Sequence, residues 1–160
     1  MAGANTDDYY AALALTGHGS WQPRDDARLW ISFNLRAHHM QAQTVAQRVR
    51  EAGTTWTELD ALIAEHSLPE RSIDAMFEAV LGYRVRRATY LKRTGVESQT
   101  ATRDLAALAG SGVLIPHGTG RGRFYTAGEP LRQIQQSRRA RRTPLTDPYP
   151  WMRPHLATAP

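Results

Sequence analysis

One stretch of this chain restricts its fold more than any other. Val113, Leu114 and Ile115 form a short apolar run with β-branched ends. The glycine-rich turn Pro116-His117-Gly118-Thr119-Gly120-Arg121-Gly122 follows, and Arg123 to Thr126 is a second run of strand type. Elsewhere apolar residues recur at helical spacing. A lone hairpin cannot enclose a core, so the helices must supply it. The expected fold is mainly α: an N-terminal helical segment, then a winged helix-turn-helix with a two-stranded β-wing.

The helical pattern divides into segments. Asp7 to Leu15 reads as a short helix with Tyr10, Leu13 and Ala14 on one side. Gly17, Gly19, Ser20 and Pro23 mark a loop, in which Trp21 is expected to plug into the core. Residues 25–52 form the longest periodic stretch, with Leu29, Phe33, Ala37, Met40, Val45 and Val49 in phase and Gly53 as its expected end. Of the adjacent His38 and His39, one is expected to be packed. Thr55 with Glu58, and Ser67 with Glu70, match capping boxes for two further helices. The second of these carries Ile73, Met76, Phe77, Val80 and Leu81, and Gly82 stops it.

After Arg84, Val85, Ala88 and Leu91 suggest a short helix ending at Gly95. Ser98 is the expected N-cap of a helix from Gln99 to about Ala109, with Ala101, Leu105, Leu108 and Ala109 as its apolar face. Leu131 and Ile134 allow one more helix, running into Arg138, Arg139, Arg141 and Arg142. The last eighteen residues hold five prolines and read as extended or disordered. The expected organisation is a helical segment at 1–66, a winged helix at 67–128, a basic helical extension at 129–142 and a flexible tail at 143–160.

Charge is unevenly placed. Residues 1–83 hold six arginines against eleven acids, whereas residues 84–142 hold twelve arginines and one lysine against three acids. An excess of arginine over lysine can reflect codon supply, but codon supply does not segregate sign within a chain. A basic part joined to an acidic part points to a polyanion partner. The absence of cysteine excludes disulfides, thiolate zinc sites and a cysteine nucleophile. No apolar run approaches the ~20 residues of a membrane span, and Asp7 and Asp8 stand where a signal peptide would be apolar. A cytoplasmic protein without membrane contact is expected.

The helix from Gln99 is the candidate recognition helix. Gln99, Thr100 and Arg103, with the small Ala106 and Ala107, lie opposite its apolar side and suit entry into a major groove. Ser98, Thr100 and the helix N-terminus suit a phosphate. Arg121 and Arg123 sit in or beside the wing, and Arg86 and Arg87 flank the preceding helix, all placed for backbone contact. The bland reading of such a helix is plain packing, and of Arg138 to Arg142 a solvated basic end. The six histidines lack metal-site spacing on a helix. The turn around Gly120 lacks the lysine and Ser/Thr of a P-loop. No catalytic constellation, metal site or cofactor is expected.

Several blocks resemble the Fic family. Asp8-Tyr9-Tyr10, Gly19-Ser20-Trp21, Ala37-His38-His39 with Gln41-Ala42-Gln43-Thr44, Leu68-Pro69-Glu70-Arg71, and Val85-Arg86-Arg87 with Tyr90 are similar to the region after the Fic catalytic core. Thr100-Ala101-Thr102-Arg103-Asp104-Leu105 and Gly120-Arg121-Gly122-Arg123-Phe124-Tyr125 resemble the winged helix that many of those proteins carry at their C-terminus. The resemblance covers roughly residues 8–127. The family transfers AMP from ATP to a hydroxyl, using a His-x-Phe-x-(Asp/Glu)-Gly-Asn-(Gly/Lys)-Arg signature. That signature is absent from this chain and would precede residue 1 in the family's layout. The resemblance therefore implies the C-terminal portion of a Fic-like protein, without enzymatic activity of its own.

Two functions are expected from these readings. One is a regulatory module binding double-stranded DNA through the winged helix. The other is a protein-interaction or dimerisation module, forming a homodimer or docking a Fic catalytic core to regulate or target it.

Overall fold

The computed structural model describes residues 3–20 and 23–158. The chain is mainly helical with one small antiparallel sheet. Its elements are α1 (Gly3–Gly17), α2 (Arg28–Glu65), α3 (Ile73–Val80), α4 (Arg87–Thr94), α5 (Ser98–Gly110), β1 (Leu114–His117), β2 (Phe124–Ala127), α6 (Glu129–Ala140) and α7 (Met152–Leu156). It divides into two compact units, residues 1–47 with 143–160, and residues 48–142. The expected boundary at 66/67 is not where the division falls, because the end of α2 supplies Leu59 and Ile63 to the core of the second unit.

α2 starts where the Asp26 carboxylate accepts the Arg28 N–H at 2.9 Å and its N-terminal charge suits the helix dipole. It runs through Gly53 rather than ending there. A glycine in a helix costs about 1 kcal/mol, which the burial of Leu59 and Ile63 downstream offsets. Thr55 is accordingly no cap: it is buried mid-helix, and its hydroxyl donates to the Glu51 carbonyl at 2.7 Å. The true end lies at Ser67, which adopts the left-handed φ of 51°. The Leu68 N–H then reaches back to the Ile63 carbonyl at 2.9 Å, and buried Leu68 adds an apolar contact. Ser67 thus closes one helix instead of opening the next, for which Pro69 begins a short 3-10 turn over Glu70–Ser72.

In the first unit, buried Ala12 of α1 joins Met152 and Leu156 of α7, with Leu29, Trp30 and Phe33 of α2 packed against them. Trp30 and Phe33 stack at 5.9 Å, and Tyr9 meets Trp30 edge-on at 5.5 Å. The α1 face is not the expected one. Tyr10, Leu13 and Ala14 are exposed, while Ala12 and Leu15 turn inward. Val45 and Val49 of α2 are exposed too, and so are both His38 and His39. Trp21 lies outside the described residues.

The C-terminal stretch is held rather than free. Arg36 of α2 donates to both carboxylate oxygens of Asp147, with contacts of 2.6–2.9 Å. The Gln43 amide donates to the Thr146 carbonyl at 2.7 Å and accepts the Thr146 N–H at 2.9 Å. Prolines exclude regular hydrogen bonding, but the salt bridges Arg36–Asp147 and Arg153–Asp8, one side-chain amide and the i,i+4 pair Met152 and Leu156 suffice to seat an otherwise extended segment.

In the second unit, α3, α5 and α6 surround a core including Met76, Val80, Leu105, Leu108 and Leu131. α5 buries Ala101, Leu105 and Leu108, the face its periodicity predicts. β1 and β2 pair antiparallel, Leu114 opposite Ala127 and His117 opposite Phe124. Val85 exchanges two backbone hydrogen bonds with Tyr125, of 2.9 and 2.8 Å, on the other edge of β2. The hairpin turns directly into α6 at Gly128. A Cβ there would stand 1.8 Å from the Gly112 carbonyl oxygen, so no side chain fits.

Candidate nucleic-acid interface

The site is built on three neighbouring elements. α4 presents Arg87 at its start, just after exposed Arg86, and ends at Gly95 in the left-handed conformation. α5 follows within a few residues. Its buried face fixes its rotation, so that Gln99, Thr102, Arg103, Ala106 and Ala107 face solvent. The hairpin places Arg121 and Arg123 at its tip, where Gly118 and Gly120 supply the positive φ that the turn needs.

A groove of about 620 Å³ runs between these elements. Arg86, Arg87, Arg121 and Arg123 line it together with Thr102, and no acid does. Four of the eight residues singled out in the sequence therefore converge on one concavity. Gln99 and Arg103 are exposed on α5 outside it, Thr100 is half-buried, and Ser98 lies at the start of α5.

Ser98 differs from expectation. The N-cap position belongs to Glu97, and Ser98 is the first helical residue. Its hydroxyl accepts from the Arg87 guanidinium, tying α4 to α5. With the Glu97 carboxylate beside it, this helix end is a poorer anion seat than the groove.

Beneath the open face lies a buried polar network that the sequence reading did not assign. Asp104 of α5 is only 2 % exposed. It accepts from Arg71 Nε at 2.7 Å and a second guanidinium nitrogen at 2.8 Å, and from the Tyr90 hydroxyl at 2.8 Å. Hydrogen bonds from Arg71 hold the Asp104 carboxyl below the usual carboxylate range. Burial, then the Asp104 hydrogen bond, pushes the Tyr90 hydroxyl up. The network fixes α5 against α4 and the turn before α3. The signal was legible: Asp104 falls in the same i, i+3, i+4, i+7 phase as Ala101, Leu105 and Leu108. An acid in an apolar stripe requires a buried partner.

The arginines at the end of α6 behave differently from those at the groove. Arg138 and Arg142 both approach the Glu51 carboxylate at 3.3 Å, and Arg141 meets Glu58 at 2.7 Å. Arg138, Arg141 and Arg142 thus tie the end of α6 to α2, while Arg139 is exposed with no carboxylate within ion-pair distance among the described residues, so the solvated end expected holds only in part. Among the described residues, Arg86, Arg103, Arg121 and Arg123 have no carboxylate within ion-pair distance. Arg84 lies 4.6 Å over the Phe124 ring, extending the basic surface along the hairpin. The sequence reading passed over it.

No group of His, Asp or Glu among the described residues could hold a metal ion, and none of their helices is long and apolar enough to cross a membrane. Comparison with protein-family models, curated proteins and solved structures returned no match.

Proposed function

We propose that residues 67–128 form a winged helix and bind double-stranded DNA. The order α3, α4, α5, hairpin supports the winged-helix reading, as does the pairing of Val85 with β2 between the first two helices. In this reading α5 enters the major groove. Arg103 and Gln99 reach base edges, and Ala106 and Ala107 leave room for close approach. Arg86, Arg87, Arg121 and Arg123 neutralise phosphates on either side. The observation that carries the proposal is the pairing of charge. Arginines facing α5 and the hairpin tip lack internal carboxylates, while Arg138, Arg141 and Arg142 at the end of α6 pair with Glu51 and Glu58.

The Fic resemblance enters as part of the same proposal, with the chain as a regulatory C-terminal portion. Its support is that Arg71, Tyr90 and Asp104, drawn from three separate blocks of the resemblance, meet in one network. No enzymatic step is assigned to these residues.

The test is fluorescence anisotropy of the full chain with duplex DNA over a range of salt. Retention that weakens steeply with salt and is lost in the Arg121→Ala, Arg123→Ala double variant is expected. Absence of binding at low salt overturns the proposal.

A further inference from the structure

The two faces of the hairpin differ. Leu114, Tyr125 and Ala127 point into the core and are buried. Ile115 and His117 of β1, with Phe124 and Thr126 of β2, alternate with them and share the opposite face. On that face His117 is exposed and Phe124 half-buried.

Three flat groups stand side by side there. The His117 and Phe124 rings are directly opposite in the register and stack with centroids 5.0 Å apart, their planes 16° from parallel. The Arg84 guanidinium lies 4.6 Å over the same Phe124 ring. β1 flanks β2 on one side and the Val85 segment flanks it on the other. The Phe124 ring is therefore filled on both faces, by an imidazole from one neighbour and a guanidinium from the other. The column runs across the strands and ends on His117, because β1 has no strand on its far side among the described residues.

The outermost ring is held in place. His117 Nε2 lies 2.8 Å from the Thr126 hydroxyl, so one hydrogen bond and one stacked neighbour fix the imidazole. A ring fixed in advance loses little freedom when a further flat group is laid on it.

The surroundings specify the charge of what carries that group. Residues 105–128 contain Arg121 and Arg123 and no acid. Neither of these arginines, nor Arg84, joins an ion pair among the described residues. An aromatic face set among free guanidiniums matches a nucleic-acid strand with an unstacked base, the base on the ring and the phosphates on the arginines. Bases inside a duplex are stacked on both faces already. A base with a free face occurs where pairing stops.

We infer that the exposed face of His117 receives an unpaired nucleobase, so that the preferred ligand is DNA in which a duplex runs into a single strand. The inference rests on the duplex reading above: α5 and the groove hold the paired part, and the column takes the first base beyond it. Arg121 and Arg123 in the adjoining turn neutralise the phosphates at that junction.

The test uses the full chain and one duplex in three forms: blunt, with a short single-stranded extension at the 3′ end, and with the same extension at the 5′ end. Each extension carries 2-aminopurine at its first unpaired position, whose fluorescence falls on stacking. One extended form should bind about fivefold to a hundredfold more tightly than the blunt duplex, with quenching. His117→Ala should remove both the preference and the quenching. His117→Phe, which keeps a stacking face and loses the bond to Thr126, should retain both. Equal affinity for all three forms without quenching overturns this inference alone, as does a preference that His117→Ala leaves intact. Binding of none of them at low salt overturns the duplex reading and this inference with it.

Discussion

Two groups of arginines within residues 84–142 have the same formal charge and opposite fates. Arg138, Arg141 and Arg142 at the close of α6 are spent on Glu51 and Glu58 of α2. Those around α5 and the hairpin tip line a groove without an acid. The first group does inside the fold what the second is left to do with a partner. A charge count cannot separate them, because both raise the net charge equally. What separates them is whether a carboxylate lies within reach.

The largest effect that would sharpen this contrast is on salt dependence. With about five phosphate contacts from the groove and α5, affinity for duplex DNA should fall about 10²–10³-fold between roughly 50 and 200 mM salt. Isotherms at several salt concentrations measure the slope, and a slope near zero breaks the comparison.

Next comes Glu51→Gln, which removes the negative charge shared by Arg138 and Arg142. Because Glu51 is nearly buried, about 1–2 kcal/mol of stability should be lost, seen as a lower urea midpoint. DNA affinity should hold or rise, since charge is freed rather than removed. A fall in affinity would place the α6 arginines in the interface.

Single groove and helix variants should follow. Arg121→Ala should weaken every duplex alike, about threefold to tenfold, and reduce the salt slope by about one contact. Arg103→Ala should instead compress the ratio between preferred and random sequence, by about 1–3 kcal/mol if it pairs with a base. Competition binding with both variants distinguishes these outcomes.

The smallest expected effect concerns acid. Asp104 is held below its ordinary value of 3.8, chiefly by Arg71. At neutral pH it is ionised in both folded and unfolded chains. Below about pH 4 the unfolded chain takes up a proton that the folded one resists. The stability Asp104 contributes is therefore full above that range and lost as pH falls through its folded value. Asp104→Asn should flatten this part of the acid unfolding curve followed by circular dichroism.

Much of this was legible where periodicity and punctuation agreed. α5, the hairpin and the stop at Gly82 follow from local rules, and the exposed positions of Gln99 and Arg103 follow from the apolar face opposite. Gly53 misled because a poor helix former's cost is local while the gain from Leu59 and Ile63 lies two to three turns on. Ser67 misled because a Ser-x-x-Glu spacing is blind to the sign of φ. The anchoring of the tail was not legible, because Asp147 finds its partner 111 residues away in Arg36, a distance no local pattern spans. For the site, the sequence marked the arginines but not which were already engaged, since Glu51 and Glu58 lie far upstream of them.

Gly128 bears on how variation in this protein should be read. Its backbone crosses that of Gly112 so closely that even a methyl group is excluded, and this holds whatever the molecule binds. Gly53, by contrast, has open space around it. If homologous sequences were aligned, strict invariance at 128 beside free drift at 53 would record the thickness of two polypeptide strands. It would say nothing of a ligand.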